Sequence, residues 1–237
     1  MSEPYRKTKV SRIPKELRNA RGTPSSARPL APPSSDANLS AMCNAYRIGR
    51  DTRATPAVLP EGLLRDLVED RLVRRTDRAP VYAGGSDLVT MRWGLERPGL
   101  GTVNNSREDK LDGPMWRKAF RERRCLVPAT GYYEFSGPKG LKRTHLFTRA
   151  DGTWMWIAGI WEDSSEHGPC FSMITTEPNE TVLPYHDRMP VVLEPGEIDD
   201  FLAGRMRHFR PPAESLSVAD AVNPLLRTPR PMQGELF

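Results

Sequence analysis

The stretch RCLVPATGYYEF, residues 124–135, decides the fold class of this 237-residue chain. It holds two segments rich in apolar and aromatic residues, and each has the length and composition of a β-strand. Three more such segments follow it, so the predicted strands in this part of the chain are 124–127, 131–135, 142–148, 154–162 and 169–176. Turn-forming residues at 136–140 and 150–152 separate neighbouring strands by hairpin lengths. The run therefore predicts a mostly antiparallel sheet.

The segments outside this run complete the expected architecture. Strands are predicted at 86–95 and 190–193. Leucines at helical spacing predict a helix over 60–75, and a short helix is expected at 195–203. A further helix should begin near Asp112, with Pro114 in its first turn; its expected inner face is Met115, Trp116, Ala119 and Phe120. The prediction is a single α+β domain on a barrel-like, mostly antiparallel sheet with a few flanking helices.

Composition limits the classes of protein to consider. Hydrophobic residues make up 38% of the chain, which is enough for one ordinary domain with a core. No apolar run is long enough to span a bilayer, and the N-terminus has no signal-peptide core, so a cytoplasmic protein is expected. The three cysteines form no C-x-x-C pair, and the four histidines have no paired spacing. Neither a disulfide framework nor a metal or cofactor is expected.

The positive charge of the chain is concentrated at its start. Residues 1–41 hold eight Lys or Arg and three Asp or Glu, which accounts for the whole net charge of +5. The remaining residues carry 27 basic and 27 acidic side chains. Residues 1–41, rich in Pro, Ser and Arg, are expected to be a disordered basic arm. The alternative is that translation starts at Met42 and the arm is not made.

Cys43 is the first candidate for chemistry. A cysteine with a free α-amino group is a 1,2-aminothiol: its amine forms a Schiff base with an aldehyde, and its thiol then closes a thiazolidine ring on the same carbon. The ring-opened deoxyribose of an abasic site is such an aldehyde. The ordinary fate of a free cysteine is core packing, and that is the interpretation for Cys125 and Cys170, which lie in predicted strands.

Two further residues could transfer protons. Glu134 lies between Tyr133 and Phe135, and a carboxyl group surrounded by aromatic rings should have a raised pKa that suits proton transfer near neutrality. The ordinary alternative is an outward-facing strand residue. His186 precedes Asp187 at the start of a predicted strand, and His titrates near pH 7, although a lone His is more often structural. His145, His167 and His208 are interpreted as surface or structural residues.

Asn105 and Arg107 lie on a loop flanked by glycines. An Asn side chain can orient a carbonyl or hydroxyl group, and an Arg can bind a phosphate with two parallel hydrogen bonds. Ordinary turn chemistry is the alternative. Asn104 is a rival to Asn105 for the same role.

In chain order, the motifs resemble those of the SOS-response-associated peptidase (SRAP) family, whose members trap abasic sites in single-stranded DNA through an N-terminal cysteine. The resemblance begins at Met42 and fades over the last few residues, so 42–237 is expected to be a SRAP-like catalytic domain. The motifs are MCNAY (42–46), RWGL (92–95), NSR (105–107), RCLVPATGYYE (124–134), ITT (174–176), HDRMPVV (186–192) and VN (222–223).

The resemblance implies a role for each catalytic candidate. Cys43 would be the cross-linking nucleophile, and Asn105 would position the amine or the sugar. Glu134 would shuttle protons during imine formation and ring closure. His186 would assist opening of the sugar ring.

The resemblance also implies a DNA-binding set. Arg107 and Arg188 would hold phosphates with help from Thr175, and Trp93 lies where the family places an aromatic residue near DNA. The expected partner is single-stranded DNA with abasic sites, bound by a monomer that is cytoplasmic and associated with the nucleoid when on DNA.

The chain departs from the family pattern at three points. Cys43 is not second in the chain, and Phe135 stands where the family usually has a Trp. The family usually has Asn-Ala-Arg with a Glu two residues further on, whereas here Asn105-Ser106-Arg107 is followed directly by Glu108-Asp109.

Two other functions remain open at this point. One is a cysteine peptidase built from Cys43, His186 and Asn105, including cleavage of its own Met42–Cys43 bond. The other is a non-catalytic module that binds single-stranded DNA through local basic patches.

Overall fold

The computed structural model describes residues 43–49, 59–64, 67, 70–138 and 140–226. The proposed arm, residues 1–41, lies outside the described residues. Two helices and fifteen strands are described: α1 (Arg117–Glu122), α2 (Ile198–Leu202), β1 (Ala45–Ile48), β2 (Arg71–Arg74), β3 (Arg78–Val81), β4 (Val89–Trp93), β5 (Leu95–Arg97), β6 (Gly101–Val103), β7 (Asn105–Arg107), β8 (Arg124–Ala129), β9 (Gly131–Ser136), β10 (Arg143–Arg149), β11 (Met155–Ser164), β12 (Gly168–Thr176), β13 (Met189–Pro190), β14 (Val192–Leu193) and β15 (Leu216–Ala221).

The strands form two main sheets and one small one. The first sheet has the order β15-β10-β9-β1-β2. The second follows the order β14-β11-β12-β4-β3, with β8 paired to β11 and with β7 and β13 paired to β12. Strands β5 and β6 form a separate two-stranded sheet. All pairs are antiparallel except those of β12 with β4 and with β7. The predicted α+β class on mostly antiparallel sheets is confirmed, and since these described sheets stay open, barrel-like applies only loosely.

Both main sheets contribute to one hydrophobic core. Tyr46 of β1 meets Trp93 of β4 edge to face, with ring centroids 5.1 Å apart. Trp93 in turn stacks on Phe171 of β12 at 6.3 Å. Strand β11 is buried continuously from Met155 to Ile160, as its unbroken apolar sequence predicts for a strand covered on both faces. Among the described residues, no helix is long and apolar enough to cross a membrane.

Two of the helix predictions need correction. Where residues 60–75 are described, they form turns at 61–64 and the strand β2 at 71–74, because pairing with β1 fixes this segment in an extended form. Tertiary pairing outweighs local helix propensity here. The helix expected from Asp112 begins at Arg117 instead, and Met115 is 42% exposed. Its other predicted inner residues, Trp116, Ala119 and Phe120, are buried.

Candidate functional site

Cys43 lies between the two main sheets. It directly precedes Asn44 and β1, whose Ala45 pairs with Tyr133 of β9. The Cys43 nitrogen donates a hydrogen bond to Glu134 Oε1 at 2.8 Å, and the residue is completely buried. Its φ is +33°, a left-handed conformation that costs a non-glycine residue on the order of 1–3 kcal/mol. Such strain persists only where neighbouring contacts hold the residue, and it is concentrated at functional sites.

Glu134 points inward because of the two-residue period of β9. Tyr132 and Glu134 are buried, whereas Tyr133 and Phe135 are only half-buried on the other face. Burial raises the pKa of Glu134 to about 8, and the hydrogen bond from the Cys43 nitrogen offsets only part of this increase. The charge of Asp187 raises the pKa further. The predicted raised pKa is therefore present, and it suits a general acid or base near neutral pH.

The Cys43 thiol is not activated by its surroundings. Its Sγ lies 3.6 Å from the Ala45 carbonyl oxygen. Burial, together with the nearby Glu134, raises the pKa of the thiol well above its ordinary value. A cysteine peptidase needs the opposite, a lowered thiol pKa or an adjacent base that removes the proton. The surroundings do not lower the thiol pKa, so a thiolate would require a nearby base, for which Glu134 is the adjacent candidate.

Asn104 and Asn105 both hold the carbonyl group of Cys43. Their side-chain amides donate to the Cys43 carbonyl oxygen at 3.1 Å and 3.4 Å. Asn104 is buried, and its own carbonyl oxygen accepts hydrogen bonds from Trp93 Nε1 at 2.9 Å and from the Met173 nitrogen at 3.0 Å. The structure thus brings both candidate asparagines to Cys43.

Trp93 lies away from the surface of the described structure. Its ring is 0% exposed, packed between Tyr46 and Phe171, and its indole nitrogen supports Asn104. In this structure the ring therefore has no surface to offer DNA, because β4 is paired to β12 and faces the core.

His186 has a hydrogen-bond partner for each of its protonation states. Its Nδ1 accepts from the Arg188 backbone nitrogen at 3.1 Å and lies 3.0 Å from Asp187 Oδ1. A neutral ring can accept the backbone N–H at Nδ1, whereas a protonated ring can donate Nδ1–H to the carboxylate. His186 is buried, with 8% of its surface exposed.

Strand β12 brings the two predicted phosphate-binding arginines together. Thr175 pairs with Arg107 of β7 on one side and with Pro190 of β13 on the other. The Thr175 carbonyl oxygen accepts from Arg188 Nη2 at 2.7 Å, while its side chain is buried. Arg107 donates to both carboxylate oxygens of Asp109, at 2.9 Å and 3.0 Å, and Arg188 lies 3.8 Å from the same carboxylate. The pair forms a cationic patch that Asp109 partly neutralises.

Sequence reasoning missed the position of His145. It is buried, and it is the cross-strand partner of Glu134 in the β9–β10 hairpin. Its ring contacts Tyr185, the residue before His186, with centroids 4.5 Å apart. The predicted turn at 136–140 could have indicated this pairing of His145 with Glu134, since the register of a hairpin follows from its turn. The other two predicted structural histidines, His167 and His208, are half-buried and exposed.

The sequence is similar to a known protein family and to curated proteins. Residues 42–224 match the model of the SOS response associated peptidase (SRAP) family. The abasic site processing protein YoqW of Bacillus subtilis is 33% identical over 126 residues, covering 45% of this chain and 53% of that protein. YoaM of the same organism, also described as an abasic site processing protein, is 31% identical over 118 residues, covering 45% and 52%. The chain spans about half the length of these curated relatives.

Solved structures share the fold. The crystal structure of a protein from Bordetella bronchiseptica superposes with a TM-score of 0.61 and 24% identity, covering 76% of this chain and all of that chain. A protein from Bacteroides thetaiotaomicron gives a TM-score of 0.55 and 21% identity, covering 74% of this chain and 85% of that one. At this identity the likeness concerns the fold alone.

Proposed function

The chain belongs to the SOS response associated peptidase (SRAP) family, and we propose that it recognises abasic sites in single-stranded DNA and captures them covalently through Cys43. The captured lesion would be shielded until repair. The observation that carries the proposal is the contact of the Cys43 nitrogen with Glu134 Oε1 at 2.8 Å. It places the atom that must attack an aldehyde against a buried carboxyl group that can exchange protons near neutrality.

The chemistry requires that the Cys43 nitrogen be an amine, released from its peptide bond to Met42. The amine attacks the aldehyde carbon of the ring-opened sugar, and the resulting carbinolamine loses water to give a Schiff base. The thiol then adds to the same carbon and its proton passes to the nitrogen, so that a thiazolidine and one water are the products. Glu134 takes the proton that leaves the amine and supplies one to the departing hydroxyl group.

Neighbouring residues would open the sugar, orient the Cys43 nitrogen and bind the DNA phosphates. His186, with partners for both of its protonation states, assists opening of the closed sugar. Asn104 and Asn105 hold the Cys43 carbonyl and so fix the direction of the nitrogen. Arg107 and Arg188 bind the phosphates beside the lesion, with the Thr175 carbonyl orienting Arg188.

The test uses a chain that starts at Met42 and from which the initiator Met is removed. All described core residues lie between Cys43 and Leu226, so this chain keeps the described core. Incubation with single-stranded DNA carrying one abasic site should give a heat-stable, shifted band on a denaturing gel. Cys43→Ala should lose the band, whereas Cys125→Ala, a buried cysteine in β8, should keep it.

Blocking the α-amine of Cys43 separates the proposal from the other functions. A blocked amine should abolish the stable product, whereas a peptidase or a plain binding module would be unaffected. A band that survives Cys43→Ala would show that the thiazolidine mechanism is wrong.

A further inference from the structure

His145 links the two residues that are proposed to move protons. Across β9 and β10 it stands directly opposite Glu134. On its other side its ring packs against Tyr185, which immediately precedes His186. The buried His145 side chain therefore contacts the residue before His186, and His145 is the cross-strand neighbour of Glu134.

The His145 ring is anchored at Nε2 and has a carboxylate near Nδ1. Nδ1 lies 3.1 Å from Asp220 Oδ1 on β15, the strand on the far side of β10. Nε2 lies 2.7 Å from Ser136 Oγ on β9. The serine hydroxyl can donate to Nε2 or accept from it, according to the tautomer of the neutral ring. Burial lowers the pKa of His145, which favours this neutral form at pH 7.

Tyr185 is held by two side chains of β10. Besides the His145 contact, its ring meets Phe147 edge to face, with centroids 5.6 Å apart. His145 and Phe147 are two residues apart and so share one face of the strand. The Tyr185 and His186 nitrogens both donate to the Val182 carbonyl oxygen, at 2.9 Å and 3.1 Å, so the two residues belong to one tight turn. A shift of Tyr185 would therefore carry His186 with it.

From these contacts we infer that His145 is a positioning residue, which holds Tyr185 and thereby sets His186 at its working place relative to Glu134. The inference rests on the proposed function, because it assigns His145 to the step that needs His186. That step is the opening of the closed sugar, and the later attack of Cys43 on an open aldehyde does not depend on it.

The test compares two oligonucleotides of the same sequence. One carries a natural abasic site, which is mostly ring-closed, and the other an acyclic aldehyde that cannot close. His145→Leu should slow cross-linking of the abasic site by ~10- to 100-fold, since a displacement of about 1 Å in a catalytic arrangement can cost ~10² in rate. It should change the reaction of the acyclic aldehyde by less than ~3-fold. His145→Phe keeps the aromatic contact with Tyr185 and should recover most of the rate on the abasic site.

Tyr185→Leu gives a second, independent route to the same result. It should reproduce the selective loss, and the double variant should lose little more, because both changes break one contact. Equal slowing on both oligonucleotides, or a His145→Phe rate as low as that of His145→Leu, would overturn the inference. If the wild-type protein cross-links neither oligonucleotide, the proposed function itself is wrong and the inference falls with it.

Discussion

Glu134 is a residue at which stability and function are in conflict. Its side chain is 1% exposed, and burial raises its pKa from 4.5 to about 8. The folded protein therefore binds this proton more tightly than the unfolded chain does. The stabilisation that results is fully present below pH 4.5 and is lost as the pH rises through about 8. A purely structural position would be better served by an uncharged side chain, so the carboxyl group indicates chemistry.

Glu134→Gln is expected to raise stability while it lowers the cross-linking rate. Glutamine can still accept the Cys43 hydrogen bond but cannot ionise, so the 237-residue variant should become more stable than the wild type as the pH rises from 5 to 8. The difference should reach about 2–4 kcal/mol. Cross-linking by the chain that starts at Cys43 should nevertheless fall ~10²–10⁴-fold with DNA binding unchanged.

Urea unfolding at a series of pH values measures the first effect, and single-turnover gels measure the second. Glu214→Gln, which removes the charge of an exposed carboxylate, is the matched control for the substitution itself. A Glu134→Gln variant that loses DNA binding and rate together would reduce Glu134 to a structural role.

At the scale of strands and loops, the sequence predicted local segments better than their partners. The five strands from β8 to β12 were predicted because their apolar runs are long and hairpin turns bound them. Strands β1 and β15 were missed, since short segments such as 45–48 and 216–221 are extended only through their neighbours in the first sheet. Missing β15 also hid the contact between Asp220 and His145.

The site was predicted by residue type but not by arrangement. Cys43, Glu134 and His186 have distinctive local settings, so each could be chosen from the sequence. Their arrangement depends on how the strands next to them pair. Cys43 joins the two main sheets through hydrogen bonds to Glu134 of β9 and to Asn105 of β7, which no local pattern encodes. The burial of Trp93 likewise follows from sheet pairing rather than from its own sequence context.

The segment that follows β7 places an acidic side chain beside both arginines that are proposed to bind phosphates. Asp109 contacts Arg107 and lies 3.8 Å from Arg188, so under the proposed function a DNA phosphate would compete with its carboxylate. Asp109→Asn should therefore tighten binding to undamaged single-stranded DNA at low salt by about two- to fivefold, which corresponds to the strength of an exposed ion pair. Arg107→Ala should weaken binding and lower the log–log salt slope by ~0.7.

Fluorescence anisotropy titrations at several salt concentrations measure both changes. Asp112→Asn removes the same charge beside Arg207 instead, and it should leave affinity nearly unchanged. Weaker binding by Asp109→Asn would mean that the carboxylate orients Arg107 for DNA rather than competing with it.

At the scale of the whole molecule, the excess positive charge ends, and the family match begins, at Met42. Residues 1–41 carry the entire net charge, while the rest, from Met42 onward, has equal numbers of basic and acidic side chains. Under the proposed function, attraction of DNA by the remainder would come from local patches such as Arg107 with Arg188. The family match begins at Met42, directly before the proposed nucleophile.

The state of the Cys43 nitrogen is the condition on which the proposed chemistry depends. In the 237-residue chain this nitrogen is an amide, and an amide cannot form a Schiff base. Three routes are open: initiation at Met42 with removal of the Met, cleavage of the Met42–Cys43 bond by the protein itself, or an inactive full-length chain. Intact-mass measurement on protein from the native host should find a species that begins at Cys43. After reaction, its mass should rise by that of the oligonucleotide less one water. A native population that keeps residues 1–41 and still cross-links at full strength would contradict the mechanism.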